Sequence, residues 1–192
     1  MNLLLTYAYH AGIRLLIFII QDNQRTDLFF RKSRTYSNTV RSAGMSSVTE
    51  YTDSKYIREL KSSDKFKAIE ELAMVFENTE VCDDIKSLIH ALVEREEIMS
   101  TGIGFGIAIP HAKINTVKEM SFAVGISKKG INFDSMDGLP VHLIILVAAG
   151  EKQHKEYLRL LSNIMTILKN ENIREKIIHS SSPDSIIDIL KP

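Results

Sequence analysis

The chain carries a single cysteine in 192 residues, so no intramolecular disulfide holds it together. That usage fits a reducing cytoplasm, where thiols stay free. Cys82 stands in Val81-Cys82-Asp83-Asp84, and the adjoining acids disfavour a thiolate. It reads as a small, half-buried hydrophobe near a helix start rather than as a nucleophile. Net charge is lacking too. The 24 Lys and Arg balance 24 Asp and Glu, so the whole-chain balance does not point to nucleic acid. No apolar run is clean over the roughly 20 residues that a membrane-spanning helix needs. Internal repeats and low-complexity tracts are absent. What remains is ordinary: 44% hydrophobic and 25% charged residues, the make-up of a globular domain that buries a real core.

The charge is unevenly spread. Residues 1–44 hold six basic residues (Arg14, Arg25, Arg31, Lys32, Arg34 and Arg41) against two acids, Asp22 and Asp27. The remainder therefore has a matching acidic surplus. Leu3-Leu4-Leu5 and Leu15 to Ile20 are apolar but are interrupted by His10 and Arg14, and the arginine-rich part follows them. A signal peptide has the reverse order. Three readings stay open for residues 1–44: a poorly ordered or weakly helical tail, a membrane contact through residues 1–20, or an extension upstream of a true start at Met45.

From Met45 to Pro192 the pattern is that of one alternating α/β domain. Asp64 is a candidate N-cap ahead of Phe66, Ile69, Ala73 and Phe76 at helical spacing. A second helix is expected to start near Asp83 or Asp84, with Ile85, Leu88, Ile89 and Leu92 on one face. Three glycines within Thr101 to Gly106 break any helix. Ile107-Ala108-Ile109 reads as a short strand ending at Pro110, and Phe122 to Ile126 as another. Asp137-Gly138-Leu139-Pro140 is a turn signal before Val141 to Ala149, whose continuous apolar run predicts a strand buried on both faces. A long helix with Leu158, Leu161, Met165 and Leu168 inward comes next. The last helix opens at Ser182-Pro183-Asp184, a cap, a proline and a first-turn acid.

The chemistry concentrates in Arg95 to Lys113. His111 directly follows a strand and a proline, which place it on a stiff support at a strand's C-terminal end. Imidazole has a reference pKa of about 6.5 and is a good nucleophile near neutrality. Backbone N–H groups of Thr101, Gly102, Gly104 and Gly106 are candidates to bind phosphate oxygens. Arg95 or Lys113 would supply positive charge, and arginine suits oxygen pairs better. On residues alone, a structural or surface histidine remains open. The glycine run is no P-loop, because it lacks the Gly-Lys-Ser/Thr ending and precedes a strand.

Glu96, then Ile103-Gly104, then Ile107-Ala108-Ile109-Pro110-His111-Ala112 resembles the active-site signature of the type-2 (fructose/mannitol) enzyme IIA family of the phosphotransferase system. The first signature position takes an acidic or amide residue. Ser100 to Gly104 is similar to the family's nitrogen-regulatory branch. Gly130 to Asp134 and Asp137 to Val141 resemble its segment before the buried strand. The likeness covers roughly residues 50–190.

That resemblance implies an α/β domain with a mixed central sheet flanked by helices on both faces, the mannitol-type fold. It implies that His111 accepts a phosphoryl group on Nε2 from the carrier protein HPr, with Arg95 steadying it. Passage to an enzyme IIB, or use as a regulatory signal, would follow. The family's second histidine is replaced here by Tyr157, ahead of Leu158 and Leu161. His154 lies one helical turn earlier and is either a substitute or a solvated residue. No cofactor, metal or nucleic acid is expected, and His90, His142 and His179 have no metal-site spacing. The rivals are a never-phosphorylated binding module of the same fold and another histidine-dependent enzyme, such as a hydrolase.

Overall fold

The computed structural model describes residues 47–191, and the readings made for residues 1–44 lie outside them. Six strands form one sheet: β1 (Ile57–Glu59), β2 (Gly102–Gly104), β3 (Ile107–Ala108), β4 (His111–Lys113), β5 (Ser121–Ile131) and β6 (Val141–Ala149). Among the described residues five α-helices accompany them: α1 (Lys65–Ala73), α2 (Ile85–Ile98), α3 (His154–Leu168), α4 (Glu171–Ile178) and α5 (Pro183–Leu190). Among the described residues no helix is long and apolar enough to cross a membrane.

The sheet is organised around β6. Its residues are buried except for His142, which is half-buried, so it packs on both faces as its continuous apolar run predicts. The strand order is β1-β5-β6-β3-β2, with β4 also paired to β6. β5 runs antiparallel to β6, while β3 and β4 run parallel to it. β1 adds parallel to β5 and β2 antiparallel to β3. The sheet is therefore mixed, with α1 and α4 both packing against β5 and β6.

One core gathers Ala68, Ile69, Leu72, Leu88 and Leu92 of α1 and α2 against Ala108, Ala112, Ile144, Leu146 and Ala148. Since β6 alternates, Leu143, Ile145 and Val147 face the other side, and they too are at most 1% exposed. Both faces of the sheet are covered.

The helix boundaries follow their caps. Asp64 accepts from the Lys67 N–H at 2.9 Å, Asp84 from the Ser87 N–H at 3.1 Å and Ser182 from the Ser185 N–H at 3.3 Å, each satisfying a first-turn donor that has no intrahelical partner. The inward stripe of α3 is Tyr157, Leu160, Leu161, Ile164, Met165 and Leu168. Leu158, expected inward, is 41% exposed. Tyr157 takes the inward position instead, and one residue of rotation carries Leu158 off the stripe.

Candidate functional site

β3 and β4 are one strand interrupted by a proline. Ala108 pairs with Ile144 and His111 with Val147, so three residues separate the pairs on both strands and the register never slips. Pro110 has no N–H to give, yet its carbonyl accepts from Val147 N at 2.9 Å. His111 thus lies within the sheet and not beyond a strand's end, as the sequence suggested. Ala108 and Ala112 join the core under α1 and α2, and alternation turns His111 to the opposite face. There the Tyr157 ring sits 6.0 Å away, tilted by 49°. His111 is 4% exposed, because β4 continues the sheet and α3 brings an aromatic ring beside it.

A short backbone contact orients the imidazole. His111 Nδ1 lies 2.8 Å from the Ile109 carbonyl. A carbonyl oxygen only accepts, so Nδ1 carries the proton and donates, and Nε2 bears the lone pair in the neutral ring.

Arg95 and Glu96 are neighbours in the last turn of α2, the helix that packs on β4. Arg95 is half-buried, and its Nη1 donates to the Met99 carbonyl at 2.8 Å. Its buried Nε–H meets no acceptor among the described residues. Glu96 is 2% exposed and its carboxyl accepts from Thr101 three times: from the N–H at 3.1 Å to each oxygen and from the hydroxyl at 2.5 Å. Lys65 Nζ stands 3.7 Å from Glu96 and 2.8 Å from Asp134.

Burial pushes the Glu96 carboxyl above the ordinary glutamate range; the Thr101 hydrogen bonds, and after them Lys65, pull the other way without overcoming it. The folded chain then keeps this proton to a higher pH than the unfolded chain does. Between the two values stability falls as pH rises, and above the raised value the cost is fully present. Glu96→Gln should remove that slope. Unfolding measured from about pH 4 upward should show the Gln variant gaining on wild type and then levelling off. A difference constant with pH would refute the assignment.

The glycine segment does something other than cradle an anion at His111. Gly104 and Gly106 have φ of +89° and +73° and, with Phe105 at +59°, make the tight turn from β2 into β3. The Gly106 carbonyl accepts from His142 and Leu143, four residues along β6 from His111's partner Val147, or about 13 Å at strand rise. Nearer donors are committed: the Thr101 N–H to Glu96, the Gly102 N–H to Ser100 Oγ at 3.0 Å, and farther out the Phe105 N–H to Asp137 at 2.8 Å. Gly102 is required for space, since a Cβ there would lie 2.5 Å from Ser135 Oγ and 2.9 Å from its Cα. Of the four candidates, Gly102 and Gly104 pair with Ala108 and Ile107 of β3, and the Thr101 carbonyl bonds to Ile109, two residues before His111.

Tyr157 and His154 separate clearly. Tyr157 is fully buried beside His111, whereas His154 is the exposed first residue of α3. Tyr157→Ala should cost about 3–5 kcal/mol of stability, the range for emptying a buried aromatic site, while Tyr157→Phe should cost a small part of that. Chemical denaturation of the two variants checks it, and equal losses would refute the packing role. His142 Nδ1 donates to the Ser127 carbonyl at 2.9 Å. Exposed His90 and His179 pair with Glu94 and Glu175, each at 3.3 Å. Cys82 is buried and points to the Asp84 carbonyl at 3.3 Å. Sequence reasoning quoted Glu96 but assigned it no role; its spacing gave no sign that it would fold back onto Thr101.

The same architecture is found in solved proteins. The nitrogen regulatory protein IIA-Ntr from Neisseria meningitidis matches with a TM-score of 0.71 and 29% identity, covering 76% of this chain and 100% of that one. IIA mannitol from Escherichia coli matches at a TM-score of 0.63 over 72% of this chain and 98% of that one, at 20% identity, a likeness of fold. The fold is thus that of a mannitol-type enzyme IIA.

The model of the family "Phosphoenolpyruvate-dependent sugar phosphotransferase system, EIIA 2" matches residues 51–192, and the chain belongs to that family. Over 131 residues it is 39% identical to the PTS system fructose-specific EIIABC component of Bacillus subtilis, a stretch making up 68% of this chain but only 21% of that longer protein.

Proposed function

We propose that this chain is a phosphohistidine carrier of the phosphotransferase system, with His111 as the residue phosphorylated and HPr as the donor. The observation that carries the proposal is the Nδ1–H···O=C contact to Ile109, which leaves Nε2 as the nucleophile. In the transfer, the Nε2 lone pair attacks the phosphorus of the donor's phosphoimidazole. The donor's N–P bond breaks and its electron pair returns to the donor ring, while Nδ1–H stays on the Ile109 carbonyl. Such transfers depend chiefly on positioning and charge stabilisation. Arg95, with its uncommitted Nε–H, is the group to meet the phosphoryl oxygens, and Tyr157 packs behind the imidazole. The phosphoryl group then passes to an enzyme IIB or stays as a regulatory mark read by another protein. A donor of this kind puts the chain in the cytoplasm.

Incubation of the full chain with phosphoenolpyruvate, enzyme I and HPr tests this. Acid-labile phosphate on the chain is the expected result. No label on folded protein, while another enzyme IIA is labelled alongside it, would leave a binding module of the same fold. Onward loss of label to an added fructose-type IIB would favour transport, and retention would favour signalling.

A further inference from the structure

Between the end of α2 and the imidazole runs an unbroken series of hydrogen bonds. Glu96 accepts from the N–H and the hydroxyl of Thr101. The Thr101 carbonyl accepts from Ile109 N at 3.0 Å. The Ile109 carbonyl accepts from His111 Nδ1 at 2.8 Å. Ile109 sits directly before Pro110, where the ladder to β6 is interrupted. Its orientation therefore depends on the bond to Thr101 more than a residue inside a regular ladder would. Thr101, at the foot of β2 beside Ile109, has its own N–H and hydroxyl held from the side chain of a helix. A buried carboxyl turned inward from a helix's last turn is costly to keep, and its hydrogen bonds go to Thr101.

We propose that Glu96 is a positioning residue for phosphoryl transfer: by fixing Thr101 it fixes the Ile109 carbonyl, and so holds His111 in the tautomer that keeps the lone pair on Nε2 for attack on the donor. The proposal rests on the carrier reading. Because Arg95 is the adjacent residue, the same anchor keeps the phosphate-steadying helix in register with the strand that bears the nucleophile. What the position needs is an acceptor aimed at Thr101, not a negative charge. Lys65, 3.7 Å from the carboxyl and itself paired to Asp134, adds a positive charge beside it.

The test uses the full chain with ¹⁵N-labelled histidine and two readouts: the His111 tautomer from long-range ¹⁵N–¹H correlations, and the rate of transfer from phosphorylated HPr. Wild type should show the Nδ1–H form. Glu96→Met keeps length and loses the acceptor. It should show mixed tautomers and a maximal transfer rate lowered by roughly tenfold to a hundredfold, the cost of a small misplacement of reacting groups, with the HPr concentration at half-maximal rate little changed. Glu96→Gln should restore the tautomer and most of the rate. Folded Glu96→Met with wild-type tautomer and rate would overturn the proposal, as would Glu96→Gln failing as badly as Met. If Glu96→Met does not fold, Thr101→Val, which loses only the hydroxyl donor, takes its place; a smaller shift of the same kind is expected, and wild-type behaviour would overturn the role. Absence of label on wild type would defeat the carrier reading alone, since the tautomer comparison needs no donor and decides the positioning role by itself.

Discussion

His111→Ala is expected to accept no phosphate from phosphorylated HPr while remaining folded. Loss of the only nitrogen proposed to attack removes the reaction outright, so the effect is complete and not a slowing. The structural consequences are bounded. The imidazole is buried, and its removal leaves the Ile109 carbonyl without the Nδ1–H bond, a loss of about 1–3 kcal/mol. That is less than the roughly 5–15 kcal/mol by which small domains are stable. His111→Asn separates chemistry from structure, because its amide nitrogen reaches close to where Nδ1 lies and can still donate to Ile109. This variant should regain part of the lost stability and still take no label. Thermal unfolding and label incorporation, measured on wild type, Ala and Asn, give the comparison. Label on either variant would move the phosphorylation site elsewhere.

The reading of the sequence worked where one local signal decided the outcome. Asp64, Asp84 and Ser182 cap the helices they were expected to cap, because N-capping is a short-range hydrogen bond that leaves its mark in residue type. β6 was legible because burial on both faces leaves a run without polar residues. β1 and β4, three residues each, were not legible, since so short a strand has no periodicity of its own and exists only through its neighbour. α4 was missed as a separate helix because Asn170 caps it two residues after α3 ends. On α3, Leu161, Met165 and Leu168 face inward as expected and Leu158 does not. Leu158 and Tyr157 are both apolar enough to serve, and only the register against His111 shows that Tyr157 does.

In the site, the position of His111 was legible but its environment was not. Strand followed by proline was read as a strand end; the ladder on β6 resumes one residue later with no slip, which only the partner strand reveals. The glycines were read as anion-binding backbone, since φ > 0 and bare N–H groups are common to nests and tight turns alike. What separates the two is where the N–H groups point, and here Glu96, Ser100 and Asp137 already hold those of Thr101, Gly102 and Phe105. All three acceptors are side chains, and Asp137 lies 32 residues from its donor, beyond the reach of local reasoning. Arg95 and Glu96 illustrate the same limit: adjacent in sequence, one has a buried Nε–H that meets no acceptor among the described residues while the other turns back onto Thr101.

Arg95→Ala should slow transfer from phosphorylated HPr by about a hundredfold to a thousandfold without abolishing it, the loss usual when one stabilising donor is taken from a developing oxyanion. Nε2 and its tautomer are untouched, so the nucleophile survives and the endpoint of labelling is still reached. Arg95→Lys should recover only part of the rate, because an ammonium restores the charge but not the planar array of N–H donors that fits two oxygens. Arg95→Ala also removes the Nη1 bond to the Met99 carbonyl, which closes the end of α2 from the residue beside Glu96. A fraying of that end would act through Glu96 and disturb the His111 tautomer. An effect confined to charge would not. Single-turnover rates of the two variants, taken with the tautomer readout, therefore distinguish the contributions. A slow Arg95→Ala with an intact Nδ1–H form assigns the arginine to the phosphoryl oxygens. A slow variant with mixed tautomers would make it a clasp for the helix end, and a wild-type rate would remove it from the site altogether.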